Sequence, residues 1–117
     1  MELPEVSSSA ARTDKLVVLS TCSSEEEARR IARHLVEARL AACVNIVAGA
    51  LSVYRWQGAI EEAPEWMLII KTSAALFERL RAEIQKVHSY QVPEVIALAV
   101  VAGSESYLEW LDAELGP

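Results

Sequence analysis

Two apolar stretches constrain this chain more than anything else in it. Val95-Ile96-Ala97-Leu98-Ala99-Val100-Val101-Ala102 and Trp66-Met67-Leu68-Ile69-Ile70 contain no polar side chain. Short, rich in branched residues and bounded by polar ones, both read as strands. A strand that is wet on one face alternates polar with apolar residues, and these do not, so both faces of their sheet must be dry. Fully burying one large apolar side chain is worth about 1.5–3 kcal/mol. Leaving several in water would forfeit much of a domain's net stability of roughly 5–15 kcal/mol.

The elements around those runs decide what can cover them. Lys15 to Cys22 is a first strand. Ser23 and Ser24 then precede three glutamates, a cap followed by acids where the helix dipole favours them, and Ser24 with Glu27 has capping-box spacing. Ala28, Ile31, Ala32 and Leu35 continue at helical intervals to an end near Leu40, with His34 off the apolar line as a surface histidine. Ala41 to Val47 is a second strand, loosened or bulged at Gly49 and resumed over Leu51–Trp56. Gln57-Gly58 marks a turn, Glu61–Glu65 with Pro64 reads as a polar break, and Trp66–Thr72 is the next strand. Ser73 caps a second helix with Leu76, Phe77, Leu80, Ile84 and Val87 on one stripe. After the strand over Val95–Ala102, Gly103-Ser104 opens a short last helix carrying Tyr107, Leu108, Trp110 and Leu111.

The order β-α-β-β-α-β plus a final helix is the ferredoxin-like, α+β arrangement: an antiparallel sheet, both helices on one face, and here a long central hairpin. One short helix cannot cover the other face. Subunits are therefore expected to cover one another in a closed cyclic oligomer.

At 117 residues the chain is expected to be a flexible tail over Met1–Thr13 and one domain over residues 14–117. A net charge of −6 argues against a nucleic-acid partner, which would need clustered Lys and Arg. No run approaches the roughly 20 apolar residues that span a bilayer, and no signal peptide is visible, so no membrane partner and a cytoplasmic location are expected. Cys22 and Cys43 have no zinc spacing and read as small reduced thiols. No nucleophile–base–orienter set, phosphate loop or dinucleotide motif is present, so no enzyme is expected.

Most of the unusual chemistry lies in His88-Ser89-Tyr90-Gln91-Val92-Pro93-Glu94. Pro93 biases Val92 to extended geometry, so the second helix ends before it. Two readings stand. His88 and Glu94 are the candidate ligands of copper(II) or another divalent ion, with Cys22 or Cys43 as a lesser third and the remainder supplied across a subunit boundary. Alternatively both residues hydrogen-bond the backbone at a stiff helix-to-strand corner. Lys71 is a candidate anion-binding or snorkelling lysine, and Tyr54, Trp56, Tyr90 and Trp110 are candidate packing or interface anchors.

Ala41-Ala42-Cys43-Val44-Asn45-Ile46, Ser52-Val53-Tyr54-Arg55-Trp56-Gln57-Gly58, Ile70-Lys71-Thr72, His88 to Glu94 and Tyr107-Leu108-Glu109-Trp110-Leu111 stand in order over about Leu16–Leu115. In this the chain resembles the CutA family, the divalent-cation tolerance proteins. The resemblance implies a ferredoxin-like subunit and a compact homotrimer like that of the PII signalling proteins. It also implies tolerance to copper and other divalent ions, with copper(II) bound by some members. In such members a cysteine can stand at the position of Ser20 and a histidine at that of Val87. This chain keeps only the His88 and Glu94 positions, and has Ser89 where a proline is usual. The alternative is a PII-like small-molecule sensor or scaffold, its pocket lined by Lys71, Glu94 and the aromatics.

Overall fold

The computed structural model describes residues 11–117, with side chains from Thr13 onward. In chain order the elements are β1 (Ala11–Arg12), β2 (Lys15–Cys22), α1 (Glu25–Glu37), β3 (Cys43–Trp56), β4 (Ala59–Ser73), a 3-10 turn (Ala74–Leu76), α2 (Phe77–Val87), β5 (Ile96–Ala99), β6 (Ala102–Gly103) and α3 (Glu105–Glu114). The main sheet is antiparallel throughout, in the order β3-β4-β2-β5. This is the expected ferredoxin-like α+β fold, with α1 and α2 packed on one face.

Register explains which residues reach the core. Val18 lies opposite Ile70, and Ser20 opposite Leu68. Side chains alternate along a strand, so these share one face. They are fully buried there with Ile31 and Leu35 of α1 and Leu80 and Ile84 of α2. Val17, Leu19 and Ile69 point the other way, and the pairings Leu19↔Ile96 and Val17↔Leu98 put Ile96 and Leu98 on that same second face. Ile96 and Leu98 are exposed, at 53% and 54%.

β3 and β4 form the long hairpin. It closes at Gln57 (φ 49°) and Gly58 (φ 84°), the pair of positive φ values that a tight hairpin turn requires. The register slips between Val47 and Ala50, where Gly49 sits at φ 89°, a bulge that only glycine enters easily. The polar break expected at Glu61–Glu65 does not occur. β4 runs straight through it, with Pro64 opposite Leu51. β2 pairs with β4 only over Trp66–Ser73, so at Pro64 the strand has a partner on one side, where a missing N–H is tolerated.

Three other expectations change. The last apolar run is strand only over Ile96–Ala99, and its end leaves β2 and turns to β1, with Arg12↔Ala102 and Ala11↔Gly103 paired. Of the tail expected over Met1–Thr13, residues 1–10 lie outside the described residues, while Ala11 and Arg12 belong to that small second sheet and Thr13 Oγ1 donates to the Val100 carbonyl. Ser24 caps α1, its hydroxyl accepting from the Glu27 N–H at 3.1 Å, but Ser73 makes no side-chain cap. α3 is tied back by the buried Lys15, whose ammonium bridges Asp14 and Asp112 at 2.6 Å each.

Candidate functional site

Three elements converge beside the end of β2. Cys22 is its last residue, Glu27 stands in the first turn of α1, and His88 is the residue at which α2 stops, its backbone already extended at φ −81° and ψ 144°. All three side chains are buried. One donor atom from each lies within 4.8 Å of the others, and Cys22 Sγ is 3.8 Å from His88 Nε2. Among the described residues this is the group of three or more potential ligands.

The imidazole's tautomer follows from its partners. A carbonyl can only accept, so the 2.7 Å contact to Thr21 O is a donation from Nε2–H. The Tyr90 N–H donates to Nδ1 at 3.0 Å, so that nitrogen carries the lone pair. Both ring nitrogens of His88 are thus satisfied, which locks the corner to β2. Glu27 is less complete. Its Oε2 accepts from the Ser89 N–H at 2.9 Å, whereas its buried Oε1 has no hydrogen-bond partner. Burial opposes ionisation of Glu27, but the hydrogen bonds from Ser89, with smaller help from His88 and then Arg30, outweigh it and hold the carboxyl below its usual range. The Cys22 thiol is pushed up to about 12, first by burial and then by the charges of Glu27 and Glu65.

The sequence pairing of His88 with Glu94 is not formed. His88 turns inward to the end of β2, while Glu94 is exposed and lines a neighbouring hollow. Cys43 stands apart near Lys71, 3.9 Å from its ammonium, and Lys71 itself donates to Asn45. Lys71 therefore does not line the hollow expected for it. Tyr54, Trp56 and Tyr90 do, together with Thr21, Glu65, Ser89, Gln91, Val92 and Glu94, around a volume of about 430 Å³. Tyr90 reaches the floor of this hollow, its O–H donating to the buried Glu65 at 2.7 Å. Burial first, and then Glu65, push that phenol's pKa upward. Trp110 lies elsewhere, beside Arg39 and Ala41, with its ring 5.7 Å from that of Tyr107.

Two residues escaped the sequence reading. Glu27 looked like a helix-dipole acid, and Glu65 like part of a polar break. Nothing local marks either, because their partners are 62 and 25 residues away.

The family model described as CutA1 divalent ion tolerance protein matches residues 16–114. The chain belongs to this family. Among relatives, the divalent-cation tolerance protein CutA of Thermus thermophilus is 50% identical over 100 residues, covering 86% of this chain and 97% of its own length. Human protein CutA is 47% identical over 91 residues, covering 78% of this chain, which spans only 51% of that longer protein. The fold agrees as closely. The Thermus thermophilus Cut A1 structure superposes with a TM-score of 0.85 at 49% identity, covering 87% of this chain and 99% of that one. CutA1 from Oryza sativa gives 0.87 at 41%, covering 90% and 96%.

Against that family name, the donor set can be judged on its chemistry. A thiolate, an imidazole and a carboxylate suit a soft or borderline divalent ion, and the orphaned Glu27 Oε1 leaves one acceptor unspent. Ser20, also buried, has a hydroxyl without a partner on the core side of β2. The set fits an ion at the expense of the His88 hydrogen bonds.

Proposed function

We propose that this CutA1 family member acts as a divalent-cation tolerance protein, assembles as a homotrimer, and takes copper(II) or another divalent ion through Cys22, Glu27 and His88. The observation that carries the reading is the convergence of three buried ligand types, one of them with an unused oxygen. Glu94 and Cys43 are not part of this set. An ion there would be held by Cys22 as the thiolate and by His88 through Nε2, with the ring proton moved to Nδ1, so uptake would release the thiol proton and strengthen as pH rises. The Tyr90 N–H must then turn away from Nδ1, which couples uptake to the Ser89–Gln91 backbone. The role is non-catalytic in this reading, since a thiol held this strongly protonated is a poor nucleophile. The trimer is supported by the apolar second face of the sheet, and a reducing cytoplasm by two unpaired thiols.

Calorimetry with copper(II) and zinc(II) tests the metal site. Stoichiometric, sub-micromolar binding that is lost in His88→Ala and weakened in Glu27→Gln is the expected result. Millimolar or non-stoichiometric binding would sink it.

A second reading is favoured by one observation: both nitrogens of His88 are already spent on the protein. Here the corner is architecture, and the chain is a PII-like trimeric small-molecule sensor or scaffold without a dedicated metal site. Its ligand enters the hollow beside Tyr90. A ligand that raises the melting temperature in a metabolite screen would support this reading.

A further inference from the structure

We propose that the hollow between the β3–β4 hairpin and the His88 corner binds an organic cation with N–H donors, a primary ammonium on a short alkyl chain. The inference deepens the small-molecule reading and rests on it.

The lining carries one sign of charge. Glu65 and Glu94 contribute carboxylates, and among the described residues no lysine, arginine or histidine lines the cavity. Glu65 is the informative one, because it is only 6% exposed. Tyr90 donates to its Oε2, while Oε1 is not among the buried unpartnered atoms and so keeps contact with solvent. A carboxylate this enclosed is stabilised by a countercharge. A ligand ammonium entering the hollow supplies that charge and can replace the solvent at Oε1. Tyr90, with its proton held on, remains a fixed donor to Oε2 and cannot compete as an anion.

The walls select the shape of the cation. Tyr54 and Trp56 are two residues apart on β3, so their rings stand on one face of the hairpin, each 43% exposed. A cation over such rings gains about 0.5–2 kcal/mol. The volume of about 430 Å³ is larger than an ion needs and sits at the small-ligand end of the usual range.

Inorganic divalent ions fit poorly. They want several oxygen or mixed ligands. Among the described residues the three-ligand group is Cys22, Glu27 and His88, and none of these lines the cavity. A quaternary ammonium fits the rings but has no N–H to donate to Glu65. An alkylammonium satisfies both the rings and the carboxylate.

The test uses the full chain with a chelator present, which removes any contribution from metal. Titration with n-butylammonium, followed by calorimetry and amide chemical shifts, should saturate and shift Tyr90 and Gln91. Neutral n-butanol and anionic butyrate should bind at least about tenfold more weakly, as expected for losing one buried charge-assisted pair. Tetramethylammonium should fall between them. Trp56→Ala and Glu94→Gln, both at exposed positions, should each weaken n-butylammonium by about fivefold. Equal binding of butyrate, no saturation, or unchanged affinity in both variants overturns the proposal. If n-butylammonium fails while another metabolite raises the melting temperature, the cation assignment falls and the sensor reading survives. If nothing stabilises the chain, both fall.

Discussion

The two faces of the central sheet are built from the same residue types and meet different surroundings. On one, Val18, Leu68 and Ile70 are fully buried under α1 and α2. On the other, Val17, Leu19, Met67 and Ile69 are half-buried, and Ile96 and Leu98 stand mostly in water. The same hydrophobicity is therefore satisfied within the chain on one side and left open on the other. A monomer would gain nothing from the open side, whereas a trimer would gain a second core.

Substitutions can break that contrast in order of effect. Ile70→Ala, on the covered face, should cost about 2–5 kcal/mol of unfolding free energy in chemical denaturation. A loss under 1 kcal/mol would mean that face is less tightly packed than its burial shows. Leu98→Lys, on the open face, should leave the circular dichroism of the fold intact and drop the mass in light scattering from a trimer toward the 12.9 kDa chain. A wild-type protein already at chain mass would remove the contrast altogether. The smallest effect concerns the edge of the covered side. Glu27 has a folded pKa below its ordinary 4.5, so its contribution to stability is present above that pH and is lost as pH falls through the folded value. Glu27→Gln should flatten the acid limb of the stability profile below about pH 4.5. An unchanged slope would show that Ser89 and Arg30 do not prefer the charged form.

Local pattern carried most of the fold. Helical spacing located α1 and α2, unbroken apolar runs located β4 and β5, and Gln57-Gly58 located the hairpin turn. Pro64 misled because a proline's effect depends on whether the strand has one neighbour or two, which the local sequence does not record. Val100 and Val101 misled because an apolar run says nothing about where its pairing partner ends. The site was legible only in outline. His88 stood out through its company, but Cys22 is 66 residues away and Glu27 is held through Ser89. Such pairings are set by the crossover of α1 and α2, and no short spacing encodes them. Glu94 is near His88 in sequence, but the chain bends at Gln91-Val92 and Glu94 lines a different cavity.

The pairing of β2 with β5 also has a consequence in time. Leu16 waits for Ala99, while β3 and β4 can zip together through a two-residue turn as soon as both exist. During synthesis β2 therefore keeps one edge unpaired until β5 has emerged, and contacts this distant in sequence are the slow ones to form. The interval in which the nascent chain can be captured by a wrong strand is set by the residues between β2 and β5, and a chain cut before Ile96 should aggregate during translation before it fails to fold.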